Sequence, residues 1–165
     1  MLEWSDALDE VDWQELSDLY RRAPLGDKAP ALLKTVFGNS RCRWFVRENG
    51  VLVAAGRALA DGADCAYICD VAVSPTHQGG GLGKAMVQRL VDQCQGHRKI
   101  ILYAVPGKEP FYQRFGFRRM LTAMAIFQNP AAATQGGYVG EAWVPMPLRA
   151  AQGAETGTQI GRAHV

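Results

Sequence analysis

The stretch 66–94 limits the fold more than any other part of this chain. An apolar run to Val73 passes through Ser74-Pro75 into His77-Gln78-Gly79-Gly80-Gly81-Leu82-Gly83-Lys84. Beyond it, Leu82, Met86, Val87, Leu90, Val91 and Cys94 fall on one face at helical spacing. A strand, a glycine loop and a helix in that order form an anion cradle. Successive glycines let backbone N–H groups turn inward, and the start of the helix adds its positive dipole end. On glycine content alone, an ordinary glycine-rich turn remains the alternative.

The rest of the chain supplies a sheet around this unit. Val11, Trp13, Leu16, Leu19 and Tyr20 predict a helix over 11–22, closed by Pro24 and Gly26. A weaker helical run over 29–37 stops at Gly38-Asn39. Apolar runs over 43–47 and 51–60, joined by Glu48-Asn49-Gly50, predict a hairpin. The strand over Cys65–Val73 follows Asp61-Gly62-Ala63-Asp64. Residues 99–105 read as a further strand broken by Pro106-Gly107, and 110–115 as a short helix. Residues 117–128 read as another extended run and 137–147 as a last strand. The fold class is α/β (α+β), a mixed central sheet flanked by helices and built from hairpins and a crossover. After Leu148 the periodicity disappears, so 150–165 is expected to be a disordered tail. Residues 159–165 resemble a translated sequencing adapter and are set aside as a cloning scar. That leaves 1–149 as a single domain, and 48% hydrophobic content is enough for one core.

Composition excludes several functions. With 18 Lys and Arg against 16 Asp and Glu, no nucleic-acid or membrane surface is expected. Cys42, Cys65, Cys69 and Cys94 form no CxxC pair and have no histidine at zinc-ligand spacing, so they read as reduced thiols with no metal. His77 is expected to face solvent, and His97 and His164 have no partners in the sequence. The first residues carry Glu3, Asp6 and Asp9 with no leader pattern, and no window reaches the ~18 apolar residues of a membrane span. A soluble, cytoplasmic protein is expected.

Two rival phosphate motifs fail: Lys84 is followed by Ala85 rather than Ser or Thr, and the dinucleotide fingerprint is not met in its proper place. QxxGxG fits, as Gln78, Gly81 and Gly83. The segment Val71-Ala72-Val73-Ser74-Pro75-x-x-Gln78-x-x-Gly81-x-Gly83-Lys84 resembles the acetyl-CoA-binding motif of the GNAT superfamily of N-acetyltransferases. Downstream, Phe111-Tyr112-Gln113-Arg114-Phe115-Gly116-Phe117 is similar to that superfamily's FYxxxGF segment. The likeness in element order runs over about 43–128.

The resemblance implies a GNAT-like splayed sheet and direct acetyl transfer from acetyl-CoA, a co-substrate, to a primary amine. By similarity, Val71 and Val73 bind the pantetheine arm, and Gln78, Gly79, Gly80, Gly81, Gly83 and Lys84 surround the pyrophosphate. Tyr112 matches the tyrosine that protonates the departing sulfur, and Lys108 stands where relatives often have an asparagine. A backbone N–H near Val71 suits the carbonyl oxygen. Relatives place acids or histidines at positions matching Tyr67, Cys69 or Asp70, so Asp70 is assigned as the base. Its alternative is a carboxylate that only holds the splayed strand. Simple alternation puts Tyr67 and Cys69 on one face and Ile68 and Asp70 on the other, unless a bulge intervenes. Tyr67 and Cys69 are then assigned to the substrate. Cys69 has no nearby histidine and reads as a structural thiol.

The partner is a small-molecule amine. An aminoglycoside is the leading reading, because the adapter-like residues 159–165 suggest a reading frame captured from a DNA library, where selection for drug resistance is common. Asp27, Asp61, Asp64, Asp70, Glu109 and Glu141 are candidates to line an acidic mouth. Ile100-Ile101-Leu102 followed by the Phe-Tyr motif resembles enzymes acting on aralkylamines or amino sugars. A protein lysine or N-terminus is the further alternative, and a single copy or a homodimer both remain open.

Overall fold

The computed structural model describes residues 1–140; the expected tail over 150–165, Glu141, His164 and most of the expected strand over 137–147 lie outside the described residues. Among the described residues, five strands form one sheet in the order β1-β2-β3-β4-β5: β1 Leu2–Ser5, β2 Cys42–Glu48, β3 Val51–Ala60, β4 Cys65–Val73 and β5 Lys99–Ile101. The pairing is antiparallel from β1 to β4 and parallel between β4 and β5, the crossover expected from the helix between them. Asn49 and Gly50 close the β2–β3 hairpin with φ of +52° and +79°, the left-handed pair that an Asn-Gly turn supplies.

Helices cover both faces. On one, α1 (Trp13–Arg22) and α2 (Pro30–Gly38) bury Leu16, Leu19, Tyr20, Leu33 and Phe37 against Phe45, Leu52, Ala55 and Ala72. On the other, α3 (Leu82–Gln93) buries Met86, Val87 and Leu90 against Val46, Ala54, Ala58 and Ile68. The small residues of β3 let α3 approach closely. A methyl group at Gly56 would lie 3.1 Å from both Leu90 Cδ1 and Met86 Sδ. Asp12 caps α1, accepting from the N–H groups of Gln14 (2.9 Å) and Glu15 (3.1 Å). Asp12→Ala is expected to cost about 1 kcal/mol in urea unfolding with no change in the midpoint slope.

Two expectations need correcting. The strand over 99–105 ends at Ile101, because its neighbour β4 diverges after the Tyr67↔Ile101 pair and leaves the later residues without a ladder among the described residues. The run 117–128 is not a strand: none of its residues finds a strand partner among the described residues. The short helix is present as α4 (Glu109–Gln113). From Leu121 the chain forms a second compact unit containing α5 (Pro130–Gln135), capped by the Asn129 side chain on the N–H of Ala132.

Candidate cofactor edge and acceptor site

The parallel pairing of β4 with β5 stops at Tyr67↔Ile101, so among the described residues β4 from Ile68 to Val73 has an open edge on that side. That edge leads to the glycine loop through a short turn. After Val73, the Ser74 N–H donates to the Val53 carbonyl (2.7 Å), and a 3-10 turn, Pro75–His77, leads to Gln78. The Gln78 amide donates to the Val73 carbonyl (3.1 Å), tying the loop back to the strand end. Gly79 and Gly81 hold φ of +84° and +88°, and open space surrounds the positions where their side chains would begin. Gly81 is the N-cap of α3, which has no capping side chain and no acid in its first turn. Its first N–H groups, with the exposed Lys84 close by in sequence, fit a diphosphate.

The second motif meets the first here. A side-chain carbon at Gly83 would lie 3.5 Å from Val73 Cγ2 and 3.8 Å from Phe111 Cζ. Phe111 packs edge-on against Tyr112 and Phe115, with centroids 5.1 and 5.6 Å away, and Tyr112 against Phe117 at 6.2 Å. Burial pushes the Tyr112 phenol above its ordinary range, so it keeps its proton through neutral pH. Lys108 is exposed at the start of α4.

Asp70 is not on the Ile68 face. It has φ of +53° and sits in a bulge, where β3 pairing steps from Arg57↔Cys69 to Ala55↔Ala72. Its carboxylate lies toward α1, 2.7 Å from Arg57 Nε and 3.4 Å from Lys28 Nζ. Tyr67 and Cys69 share that side. Burial first, then Cys69 and Tyr103, push the Tyr67 phenol strongly up, and the Tyr67 and Tyr103 rings are 6.2 Å apart. Burial likewise raises the Cys69 thiol, which makes it a poor nucleophile. Arg57, Lys28 and Tyr20 were missed by sequence reasoning. The one available signal was an arginine inside the small, apolar run Val51–Ala60, which had to find an anion.

Two histidine expectations also fail. His77 is not simply solvent-facing, because its Nε2 lies 2.7 Å from Glu48 Oε2 and its Nδ1 2.8 Å from Thr76 Oγ1. That hydrogen bond holds the Glu48 carboxyl below the usual range. His97 has partners: Nε2 accepts from the Gly62 N–H (3.0 Å) and Nδ1 faces the Cys94 carbonyl (2.8 Å). Among the described residues, no helix is long and apolar enough to cross a membrane.

The acids expected to line a mouth are engaged elsewhere. Asp27 pairs with Arg21, and Asp64 with Lys99. Backbone N–H groups of Ala63, Asp64 and Cys65 hold the Asp61 carboxyl at about 2.

Residues 5–117 match the Acetyltransferase (GNAT) family. Serotonin N-acetyltransferase 2, chloroplastic, of Oryza sativa subsp. japonica is 33% identical over 113 residues, 65% of this chain and 56% of that protein. Glucosamine 6-phosphate N-acetyltransferase of Trypanosoma brucei brucei is 39% identical over 113 residues, 67% of this chain and 71% of that protein. A crystal structure of a GNAT-family acetyltransferase from Xanthomonas campestris superposes with a TM-score of 0.67 at 25% identity, covering 77% of this chain and 93% of that one. The chain spans about half the length of the rice relative.

Proposed function

The chain belongs to the acetyltransferase (GNAT) family, and from that premise we propose that it moves an acetyl group from acetyl-CoA to the primary amine of a small molecule, with an aralkylamine as the leading acceptor. One observation carries the reading: an open β4 edge leads through one short 3-10 turn into an uncapped glycine loop, and the Phe111-Tyr112 motif packs near that junction. Val71 and Val73 would hold the pantetheine arm along the open edge. Gly79, Gly80, Gly81, Gly83 and Lys84 would hold the diphosphate, with Gln78 bracing the loop against Val73.

When bound, coenzyme A supplies an acetyl thioester. The amine nitrogen forms the new C–N bond while a backbone N–H near Val71 takes up charge on the carbonyl oxygen. The C–S bond breaks and the sulfur takes its proton from the Tyr112 hydroxyl. The proton lost by the amine passes to water and restores the phenol.

Tyr67 and Tyr103 at the mouth of the splay favour an acceptor carrying a ring, in keeping with the name of the rice relative. An aminoglycoside is less well supported: Asp27, Asp61, Asp64 and Asp70 are already engaged, which leaves only Glu109 among the described acids named for that role. A compartment in the cytoplasm remains our reading from sequence.

The test is thiol release from acetyl-CoA across aralkylamines, amino-sugar phosphates, polyamines, aminoglycosides and peptides. Release is expected with aralkylamines first. No release with any amine would sink the enzyme reading, and release with peptides alone would move the acceptor to proteins.

A further inference from the structure

Asp70 is a non-glycine residue in left-handed backbone, a conformation that persists only where the surroundings over-determine it. Those surroundings come from three elements. Arg57 Nε of β3 lies 2.7 Å from Oδ2, and Lys28 Nζ, between α1 and α2, lies 3.4 Å from Oδ1. The Tyr20 hydroxyl of α1 donates to the Asp70 carbonyl at 2.5 Å. Arg57 is braced in turn by the Ser40 hydroxyl at 3.2 Å, and Ser40 donates to the Val36 carbonyl at 2.6 Å. The Arg57 and Asp70 side chains are 12% and 18% exposed, so water screens the pair little.

The bulge re-aims the end of β4. Asp70 and Val71 together face Gly56, which shifts the alternation by one residue. Without that extra residue Val71 would share the side of Cys69, toward α1. Instead Val71 packs with Val73 on the α3 side, and Ala72 fills the core under α1. The direction of each backbone N–H along the open edge shifts with the side chains.

We propose that Asp70 is a positioning residue for acetyl transfer: pinned by Arg57, Lys28 and Tyr20, it locks the bulge that sets Val71 and its backbone at the open edge where the thioester must lie. This role rests on the reading of that edge as the pantetheine site. It also assigns the carboxylate a different task from that of a general base, which needs a lone pair aimed at the amine, whereas both oxygens here are directed at cations.

The test is a series at one position, Asp70→Asn, Asp70→Gly and Asp70→Ala, with Tyr20→Phe beside it. The readouts are kcat and KM with the best acceptor from the panel, the pH–rate profile, and coenzyme A affinity by calorimetry. Activity should follow tolerance of left-handed backbone rather than basicity. Asn, which accepts that conformation and keeps a side-chain oxygen for Arg57, should lose only about 5-fold in kcat, and Gly, which keeps the backbone freedom but not the pins, about 10-fold. Ala should lose about 30-fold, because the bulge relaxes, and its coenzyme A affinity should fall while that of Asn is kept. Tyr20→Phe should lower kcat about 10-fold without changing the shape of the pH profile.

If Asn, Gly and Ala all lose about 100-fold or more and the acidic limb of the profile disappears, Asp70 is the base and the proposal falls. Equal kcat and equal coenzyme A affinity across the series, with only the melting temperature changed, would reduce Asp70 to a structural residue and also overturn it. The functional reading fails separately, when wild-type protein binds no coenzyme A; protein that binds it but acetylates no amine still reports on the bulge through the affinity series.

Discussion

Gly81→Val is expected to raise the KM for acetyl-CoA about 300-fold while kcat at saturation changes little. Two effects combine. Gly81 holds φ of +88° and ψ of −2°, and a β-branched residue there costs more than the ~1–2 kcal/mol of an ordinary left-handed residue. No atom lies within 4 Å of the site of the new side chain, so nothing in the fold is displaced, and the strain is relieved by rotating the loop instead. Rotation turns away the first N–H groups of α3, and charge-assisted hydrogen bonds to a diphosphate are worth about 1.5–3 kcal/mol each. Losing one such bond and misdirecting a second gives a few hundredfold at ~1.4 kcal/mol per decade. Gly81→Ala should show a smaller rise, about 10-fold, from strain alone. Because the loop is exposed and sits outside both buried clusters, the melting temperature should shift by only a few degrees in either variant. A fall in kcat at unchanged KM would mean that this loop is not the diphosphate cradle.

The elements legible in the sequence were those whose signals are local. β4 was readable to its end residues because turn chemistry brackets an apolar run, and the β2–β3 turn because Asn49-Gly50 has one comfortable geometry. The helix α3 followed from its single apolar face. What stayed hidden depends on partners distant in sequence. Whether 99–105 remains a strand is decided by where β4 turns away, and nothing in those residues records that. β1 is a short edge strand with too few residues to show alternation. The α5 helix did carry a signal, Asn129 before Pro130, but it lay in the short gap between two runs read as strands, 117–128 and 137–147.

The site divides the same way. The cradle glycines and Tyr112 are legible because the chemistry demands those residue types at fixed spacing. Asp70 was picked out but placed on the wrong face, because one extra residue in a strand reverses every later assignment. Arg57, Lys28 and Tyr20 converge on it from 13, 42 and 50 positions away in the chain, a convergence that the β3–β4 pairing and the packing of α1 on the sheet create together.

Tyr112→Phe is expected to lower kcat between about 100- and 1,000-fold with little change in the KM for acetyl-CoA, the range for loss of a positioned general acid. The substitution isolates the hydroxyl, because the ring contacts with Phe111 and Phe117 that hold the side chain need only the ring. Burial raises the phenol, so in the wild-type enzyme the acid form survives above the ordinary tyrosine range, and no alkaline loss of kcat from this group should appear below it. The strongest check varies the leaving group. A thiolate of coenzyme A departs more readily when protonated, whereas the thiolate of a nitro-substituted thiophenol is stable without a proton. Acetyl transfer from such a thioester should differ by only about threefold between the variant and the wild type, because the step that Tyr112 assists no longer limits the rate. Equal losses with both donors would show that the hydroxyl acts on the acceptor or on the fold, and the acid role would have to be given up.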